Sequence, residues 1–411
     1  MIAIDGRGER AYTAATMNTN GQRQRVAALL LGAGLAVALA CTAGPAPAAK
    51  PVAGPSVAPA PAASSVPASG APPAPASEDR VPLNTTIHLQ TLRNLADAAL
   101  FIASDLGYFD EQGLVVDWET VRSAADTIPS LSTGQLDAAA GGSSPGLFNA
   151  VERGIALKIV TDKTRLARGG QGSSFLVRQD LLDSGEVKSA ADFQGRPVSL
   201  TTVRSSAGAY LYAALRPVGL GLGDVETVEL NPADTLAALA NRKIDVAFTF
   251  EPMQTLAQQQ GLGTPLIWVD QVYPDAISNF LMYSAAFASE RPEAARRFMI
   301  AHVKGMRYFW DNYVKGRDPE AVLNVLVSQK AAPSLALARQ MRLSPGDPDG
   351  RITADDFATD QEIYTTLGWL DRPADLTDVI EPRFARQAVE ALGGPYSRDA
   401  EATSTGRGGQ P

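Results

Sequence analysis

The sequence predicts an α/β protein of two doubly wound βα lobes joined by a two-stranded hinge and followed by C-terminal helices. Three observations carry that expectation: an internal repeat, short apolar strands alternating with helical stretches inside each copy, and a proline-led helix that stops at glycine near the end of each copy. Alternating β and α implies a mainly parallel sheet covered on both faces, and two such units in tandem imply two similar lobes facing each other.

The repeat is faint but ordered. Ala125-Asp126-Thr127-Ile128, Leu131 and Leu136-Asp137-Ala138-Ala139 recur as Ala233-Asp234-Thr235-Leu236, Leu239 and Ile244-Asp245-Val246-Ala247 at one constant offset. Upstream, Ile87, Leu89, Thr91, Leu92, Arg93, Ala96 and Ala98 answer to Val198, Leu200, Thr202, Val203, Arg204, Ala207 and Ala209, the offset slipping by a few residues as a loop deletion would produce. Such periodicity at domain scale is read before secondary structure, because it sets the architecture.

Within each copy the pattern predicts a strand (Thr86 to Gln90; Pro197 to Thr201), a helix, and a second strand (Leu114 to Thr120; Val225 to Leu230). A short helix opening at Ala-Asp-Thr, a third strand from Leu136 or Ile244, and helices from Pro145 to Gly154 and Pro252 to Gly261 complete it. Proline suits a helix's first turn, where its missing N–H is not needed, and glycine commonly ends one. Ser278 to Ser284 reads as a strand returning to the first lobe. Helices follow over Pro292 to Trp310, Pro319 to Ser328, after Thr353 with Asp356 closing a capping box, and from Pro382 to Leu392. Phe298, Met299, Met306, Phe309 and Trp310 share one face and read as core, and His302 beside them as a satisfied structural histidine.

Composition bounds the function. The chain has 411 residues, 45% of them hydrophobic and 19% charged, with a formal net charge of −8 and no Lys/Arg-rich run. Acidic and basic residues are interspersed, which argues against a nucleic-acid partner, since phosphate binding needs a concentrated basic surface. Two histidines and the lone Cys41 supply no Cys/His zinc site, disulfide framework or Cys-His nucleophile pair.

The N-terminus reads as an export signal. Arg23 and Arg25 precede an apolar stretch from Val26 to Ala40, too short for a comfortable membrane span but suited to a signal-peptide core. It ends in Val37-Ala38-Leu39-Ala40-Cys41, which resembles a bacterial lipobox with Cys41 as the lipidated mature N-terminus, although Ala38 stands where a large aliphatic residue is usual. An ordinary cleaved signal with an incidental cysteine exports the chain as well. Met17 would itself start a conventional signal, so the residues before it read as an extension. From Thr42 to Ser77 the chain is almost wholly Ala, Pro, Ser, Gly and Val, a composition that builds no core. At about 3.1 Å per residue in a polyproline-like state it would reach on the order of 100 Å, enough to tether a mobile head. The expected organisation is leader and extension 1–41, tether 42–83, lobe 1 from 84–170 and 275–395, lobe 2 from 171–274, and a disordered tail 396–411.

The motifs resemble a known family. Ala103-Ser104-Asp105-Leu106-Gly107-Tyr108-Phe109-Asp110-Glu111-Gln112-Gly113-Leu114 resembles its opening, and Gly134-Gln135-Leu136-Asp137 its third strand. Ala191-Asp192-Phe193-Gln194-Gly195-Arg196-Pro197-Val198 resembles its entry to the second lobe, with Gln194 and Arg196 in place of the usual lysines. Asp245-Val246-Ala247-Phe248-Thr249-Phe250-Glu251-Pro252 resembles its acidic-proline motif. The family is the nitrate/sulfonate/taurine type of solute-binding protein, which also includes receptors for the thiamine pyrimidine precursor and for aromatic carboxylates; the likeness runs from about Asn84 to Ala388. It implies a type II periplasmic-binding-protein fold and an extracytoplasmic receptor that hands a small ligand to ABC permease subunits. A monomer held to the membrane by its lipid, without a cofactor, is the expected form.

In open α/β sheets, ligands bind beyond the carboxyl ends of the strands. That places Arg93, Asn94 and the nearby Asp97, with Ser143 and Ser144, on the cleft side of lobe 1, and Thr202, Arg204, Ser205, Ser206 and Glu251 on that of lobe 2. Serines at helix N-termini suit an anionic oxygen cluster, and they equally suit plain N-caps. Arg93 and Arg204 hold equivalent places, so pseudo-symmetry would aim two guanidinium groups at one carboxylate or sulfonate; the alternative is that each pairs with a local acid such as Asp97 or Glu251. Asp137 and Asp245 lie at strand starts and read as structural. The Gly169-Gly170-Gln171-Gly172 run would absorb hinge closure, with lobe crossings near Asp162 to Gly172 and Gln271 to Ser278. A neutral heterocycle is the alternative ligand. An enzyme or a sensor subunit on the same scaffold is the alternative class, and no nucleophile-base pair, nucleophile elbow, phosphate loop or metal quartet supports the enzyme.

Overall fold

Among the described residues, ten strands form two five-stranded sheets, each built on one copy of the repeat. In chain order they are β1 (Thr85–Thr91), β2 (Leu114–Thr120), β3 (Ala138–Gly141), β4 (Leu157–Arg165) and β5 (Ser173–Arg178). β6 (Pro197–Leu200), β7 (Glu226–Glu229), β8 (Val246–Phe250), β9 (Gly263–Trp268) and β10 (Ile277–Ser284) follow. The structure, a computed structural model, describes residues 84–121, 124–170 and 172–397, all within one compact unit. Residues 1–83, which include Cys41 and the expected leader and tether, residues 122–123, Gln171 and everything after residue 397 lie outside them.

The first sheet has the order β2-β1-β3-β10-β4 and the second β7-β6-β8-β5-β9. In each, the repeat supplies three parallel strands, and the fourth position holds an antiparallel strand that has just crossed from the other lobe: β10 beside β3, β5 beside β8. The strands that leave, β4 and β9, pair antiparallel with those arrivals. The two crossings therefore come out of neighbouring strands in both sheets, which gives the two-stranded hinge. Ser278 to Ser284 does return to the first sheet, as expected.

Both faces of the first sheet are covered, and strand alternation divides its residues between them. Ala138, Ala140, Leu281 and Tyr283 pack toward the helix Pro292–Phe309, whereas Ala139, Phe280 and Met282 pack toward the helix Pro145–Glu152. β3 is built of alanines and a glycine because neighbours close on it from every side. The long helix buries Phe298, Met299, Met306 and Phe309, then ends in a π-type turn over Trp310–Val314 rather than at Trp310. Gly305 allows it to cross the helix Ala98–Asp105, since a Cβ there would lie 2.2 Å from the Ala99 carbonyl oxygen.

Most differences from the expected elements lie at boundaries. β3 starts at Ala138 instead of Leu136, and the helix expected from Pro252 starts at Met253 with Pro252 as its cap. Thr353 and Asp356 do form a capping box, at a short 3-10 turn ahead of the helix Ala358–Thr366. Tyr396, placed at the start of the tail, is anchored: its hydroxyl donates to Asp311 (2.6 Å) and its N–H to Asp349 (3.0 Å). His302 is buried, and neither ring nitrogen makes a hydrogen bond of good geometry, the Asp162 backbone being only a weak partner, so it is less fully satisfied than expected. Burial, then the charge of Lys163, pushes its pKa down to about 3 and keeps it neutral, with the Asp162 backbone opposing them weakly.

Candidate functional site

The amino ends of the two sheets are closed by ion pairs. Asp137 accepts from Arg291 (2.8 Å) and from the His88 N–H (3.0 Å), and Asp245 from Arg178 (2.6 Å) and Arg196 (2.9 Å). Each carboxylate has both oxygens occupied, which makes these acids structural pins.

The carboxyl ends carry the expected ligand loops, and their side chains divide into three groups. The first caps helices. Asn94 accepts from the Ala96 N–H (3.0 Å), Ser144 from the Leu147 N–H (3.2 Å), and Ser205 from the Ala207 N–H (3.2 Å) while donating to the Thr202 carbonyl (2.6 Å). The Thr202 hydroxyl donates to the Thr201 carbonyl (2.8 Å).

A second group turns inward to its own surroundings. Asp97 is buried; it pairs with Lys163 on β4 and accepts the Asn94 N–H (3.2 Å). Arg93, held at φ +46°, places its guanidinium over the rings of Trp118 (4.9 Å) and Phe101 (5.3 Å) and donates to Gln329 (3.1 Å). Glu251 is buried and accepts the N–H groups of Thr255 and Arg342, both at 3.1 Å. Burial raises its pKa, and those hydrogen bonds hold the rise in check.

The third group meets a segment that the sequence did not connect to the site. Arg204, exposed at the foot of the helix Ser206–Leu215, donates to the Trp369 carbonyl (3.4 Å), and Asn149 of the lobe 1 helix donates to the same oxygen (3.3 Å). The Ser143 hydroxyl lies 3.3 Å from that of Tyr364, and Tyr273 donates to Asp360 at 2.5 Å. Tyr210 packs edge-on to Tyr273 (5.0 Å between centroids), with the Ser206 side chain bonded to it. Gly208 makes room for this: a Cβ there would sit 2.8 Å from the Trp369 ring and 1.9 Å from the Val203 carbonyl oxygen. Ser143, Arg204 and Ser206 are thus brought together through residues 360–369, whereas Arg93 shares no partner with Arg204. Tyr210, Tyr273, Asp360, Tyr364 and Trp369 carry no local signal, since each reads as an ordinary core or helix residue. Among the described residues no cluster of His, Cys, Asp or Glu could hold a metal ion, and no helix is long and apolar enough to cross a membrane.

Residues 94–313 match the family described as NMT1/THI5 like. The taurine-binding periplasmic protein of Escherichia coli (strain K12) is 23% identical over 69% of this chain and 81% of its own length. The alkanesulfonate-binding protein SsuA from Xanthomonas axonopodis pv. citri, solved bound to MOPS, superposes with a TM-score of 0.58 at 16% identity, covering 72% of this chain and 98% of that one. The desulfurization enzyme DSZB shares the fold too, with a TM-score of 0.56 at 18% identity over 74% of this chain and 99% of its own. The chain belongs to the NMT1/THI5-like family and has the two-lobed fold of the type II periplasmic binding proteins.

Proposed function

We propose that this chain is the extracytoplasmic solute-binding component of an ABC importer of the sulfonate/nitrate/taurine type, anchored through a lipid on Cys41, and that it delivers a small organic anion to its permease. The observation that carries the reading is that groups from the carboxyl ends of both sheets, Ser143 on one side and Arg204 and Ser206 on the other, meet at one junction between the lobes. Arg204 is solvated and supplies positive charge, and the N-terminus of the helix Ser206–Leu215 adds N–H groups beside it, a combination that suits a sulfonate or carboxylate. The relative most informative about activity is a binding protein by name, whereas the enzyme DSZB is alike in fold alone. The rings of Tyr210, Tyr273, Tyr364 and Trp369 around the junction favour a second reading, a planar heterocycle as ligand.

Thermal-shift screening against sulfonates, nitrate, carboxylates and pyrimidines, followed by small-angle scattering with the best ligand, tests the core of this. A ligand at a hundred times its dissociation constant stabilises the protein by about 2.7 kcal/mol, and bridging of the lobes compacts it. An unchanged scattering profile at proven saturation contradicts interlobe binding. Fatty-acid labelling that is unchanged by Cys41→Ser contradicts the anchor.

A further inference from the structure

The junction contains a carboxylate with a vacancy. Asp360 is buried (2% exposed); its Oδ1 takes the Tyr273 hydroxyl, the Ser143 hydroxyl also stabilises the carboxylate, and Oδ2 has no hydrogen-bond partner. Structural carboxylates elsewhere in this chain are filled on both oxygens: Asp97 by Lys163 and the Asn94 N–H, Asp245 by Arg178 and Arg196, Asp349 by Arg307 and the Tyr396 N–H. A buried acceptor left open is costly, which is why such groups are rare away from functional sites. Among the described residues the other buried carboxylate oxygen left open is Oδ1 of Asp270, whose partner oxygen takes the Gly169 N–H, away from the ligand loops.

The surroundings of Asp360 say what would fill it. The titratable groups that face it are the phenols of Tyr210, Tyr273 and Tyr364, all pushed up by burial and therefore neutral, and no cationic side chain offsets its charge. Burial raises the Asp360 pKa to about 6, with the Ser143 and Tyr273 hydroxyls pulling it partly back. An open carboxylate oxygen accepts and cannot donate, and aromatic walls favour a cationic or planar N–H group over a second anion. Asp360 sits on the helix Ala358–Thr366, whose segment continues to Trp369 and touches lobe 1 at Ser143 and Asn149 and lobe 2 at Arg204 and Gly208.

We propose that the segment from Thr353 to Trp369 forms a third wall of the interlobe site, and that Asp360, through its open Oδ2, is the specificity-determining acceptor for an N–H group on the solute. This rests on the solute-binding reading above. The solute then carries an N–H donor as well as whatever group Arg204 attracts, and a solute with only the anionic end meets an uncompensated carboxylate.

The test compares the full-length protein with its Asp360→Asn variant in two arms. The first uses four matched probe pairs that differ by one amino group: 2-aminoethanesulfonate and ethanesulfonate, β-alanine and propionate, 4-aminobenzoate and benzoate, 4-aminopyrimidine and pyrimidine. The tightest binder is expected to be an amino member, at least tenfold tighter than its mate, with that preference reduced to within twofold in Asp360→Asn. A tightest binder without the amino group, or a preference that survives the substitution, overturns the proposal. Binding that persists with no amino preference leaves solute binding standing and removes only this inference.

The second arm needs no ligand. The folded pKa of Asp360 is raised, so its charge burdens the folded state fully above about pH 6 and not at all below about pH 4. Asp360→Asn is expected to have the higher urea midpoint at pH 7.5, with the gap closing as the pH is lowered through that window. A structural acid behaves in the opposite way, so an Asp360→Asn protein less stable than its parent at pH 7.5, or equal to it, overturns the proposal even where no probe binds.

Discussion

The stretch Thr91 to Ala98 in lobe 1 and its repeat mate Thr202 to Ala209 in lobe 2 start from the same plan and finish differently. Both follow the first strand of their copy of the repeat, β1 or β6, and both open with a polar cap, Asn94 in one and Ser205 in the other. Three residues further on, lobe 1 has Asp97, locked to Lys163, where lobe 2 has Gly208, whose missing side chain admits Trp369. The preceding arginines part accordingly. Arg93 lies over Trp118 and Phe101, while Arg204 stays exposed and touches the Trp369 carbonyl. The lesson is that the repeat preserves strand order and caps, because those depend on local backbone needs, and frees the side chains that follow. Lobe 1 uses its copy to brace the hinge strand; lobe 2 leaves its copy open toward the junction.

The comparison breaks most severely at Asp97. Asp97→Ala leaves Lys163 buried without its partner, and unfolding in urea should show a loss of about 3–5 kcal/mol. A loss below about 1 kcal/mol would show that the pair does not brace the hinge strand. At the matching place in lobe 2, Gly208→Ala introduces a Cβ into the Val203 carbonyl and the Trp369 ring. That should cost about 1–3 kcal/mol through overpacking, and it should lower ligand affinity too because Trp369 must shift.

The arginines sharpen the comparison. Arg204→Ala should reduce affinity about tenfold, or about 1.4 kcal/mol, and change stability by less than about 0.5 kcal/mol, because the side chain is solvated in the free protein. Arg93→Ala should do the reverse, losing about 1 kcal/mol of stability with its ring contacts and leaving affinity within about twofold. Calorimetry and urea unfolding on both variants decide this, and equal affinity losses would restore a symmetric two-arginine grip. The smallest effects belong to the caps. Asn94→Ala and Ser205→Ala should each cost about 0.5–1 kcal/mol, close to equal, since both satisfy one helix-end N–H. A difference of more than about 1 kcal/mol would mean that one of them has a further role.

By itself the sequence determined the architecture: two copies of a βα unit, the returning strand β10, the proline-led helix starts and the capping box at Thr353. Those features follow from periodicity, turn chemistry and helix ends, which act over a few residues and so leave a local mark. It also showed which loops sit at the carboxyl ends of the strands, because strand direction fixes that. Only the tertiary structure decided where their side chains went. Arg93 and Arg204 have equivalent neighbours in sequence, yet one finds Trp118 across β1 and β2 and the other finds Trp369, far along the chain. The same holds for Asp360, which reads as a helix residue until Ser143, Tyr210 and Tyr273 close around it. Partners so distant in sequence are chosen by packing, and burial rather than residue type leaves one oxygen of Asp360 without a donor.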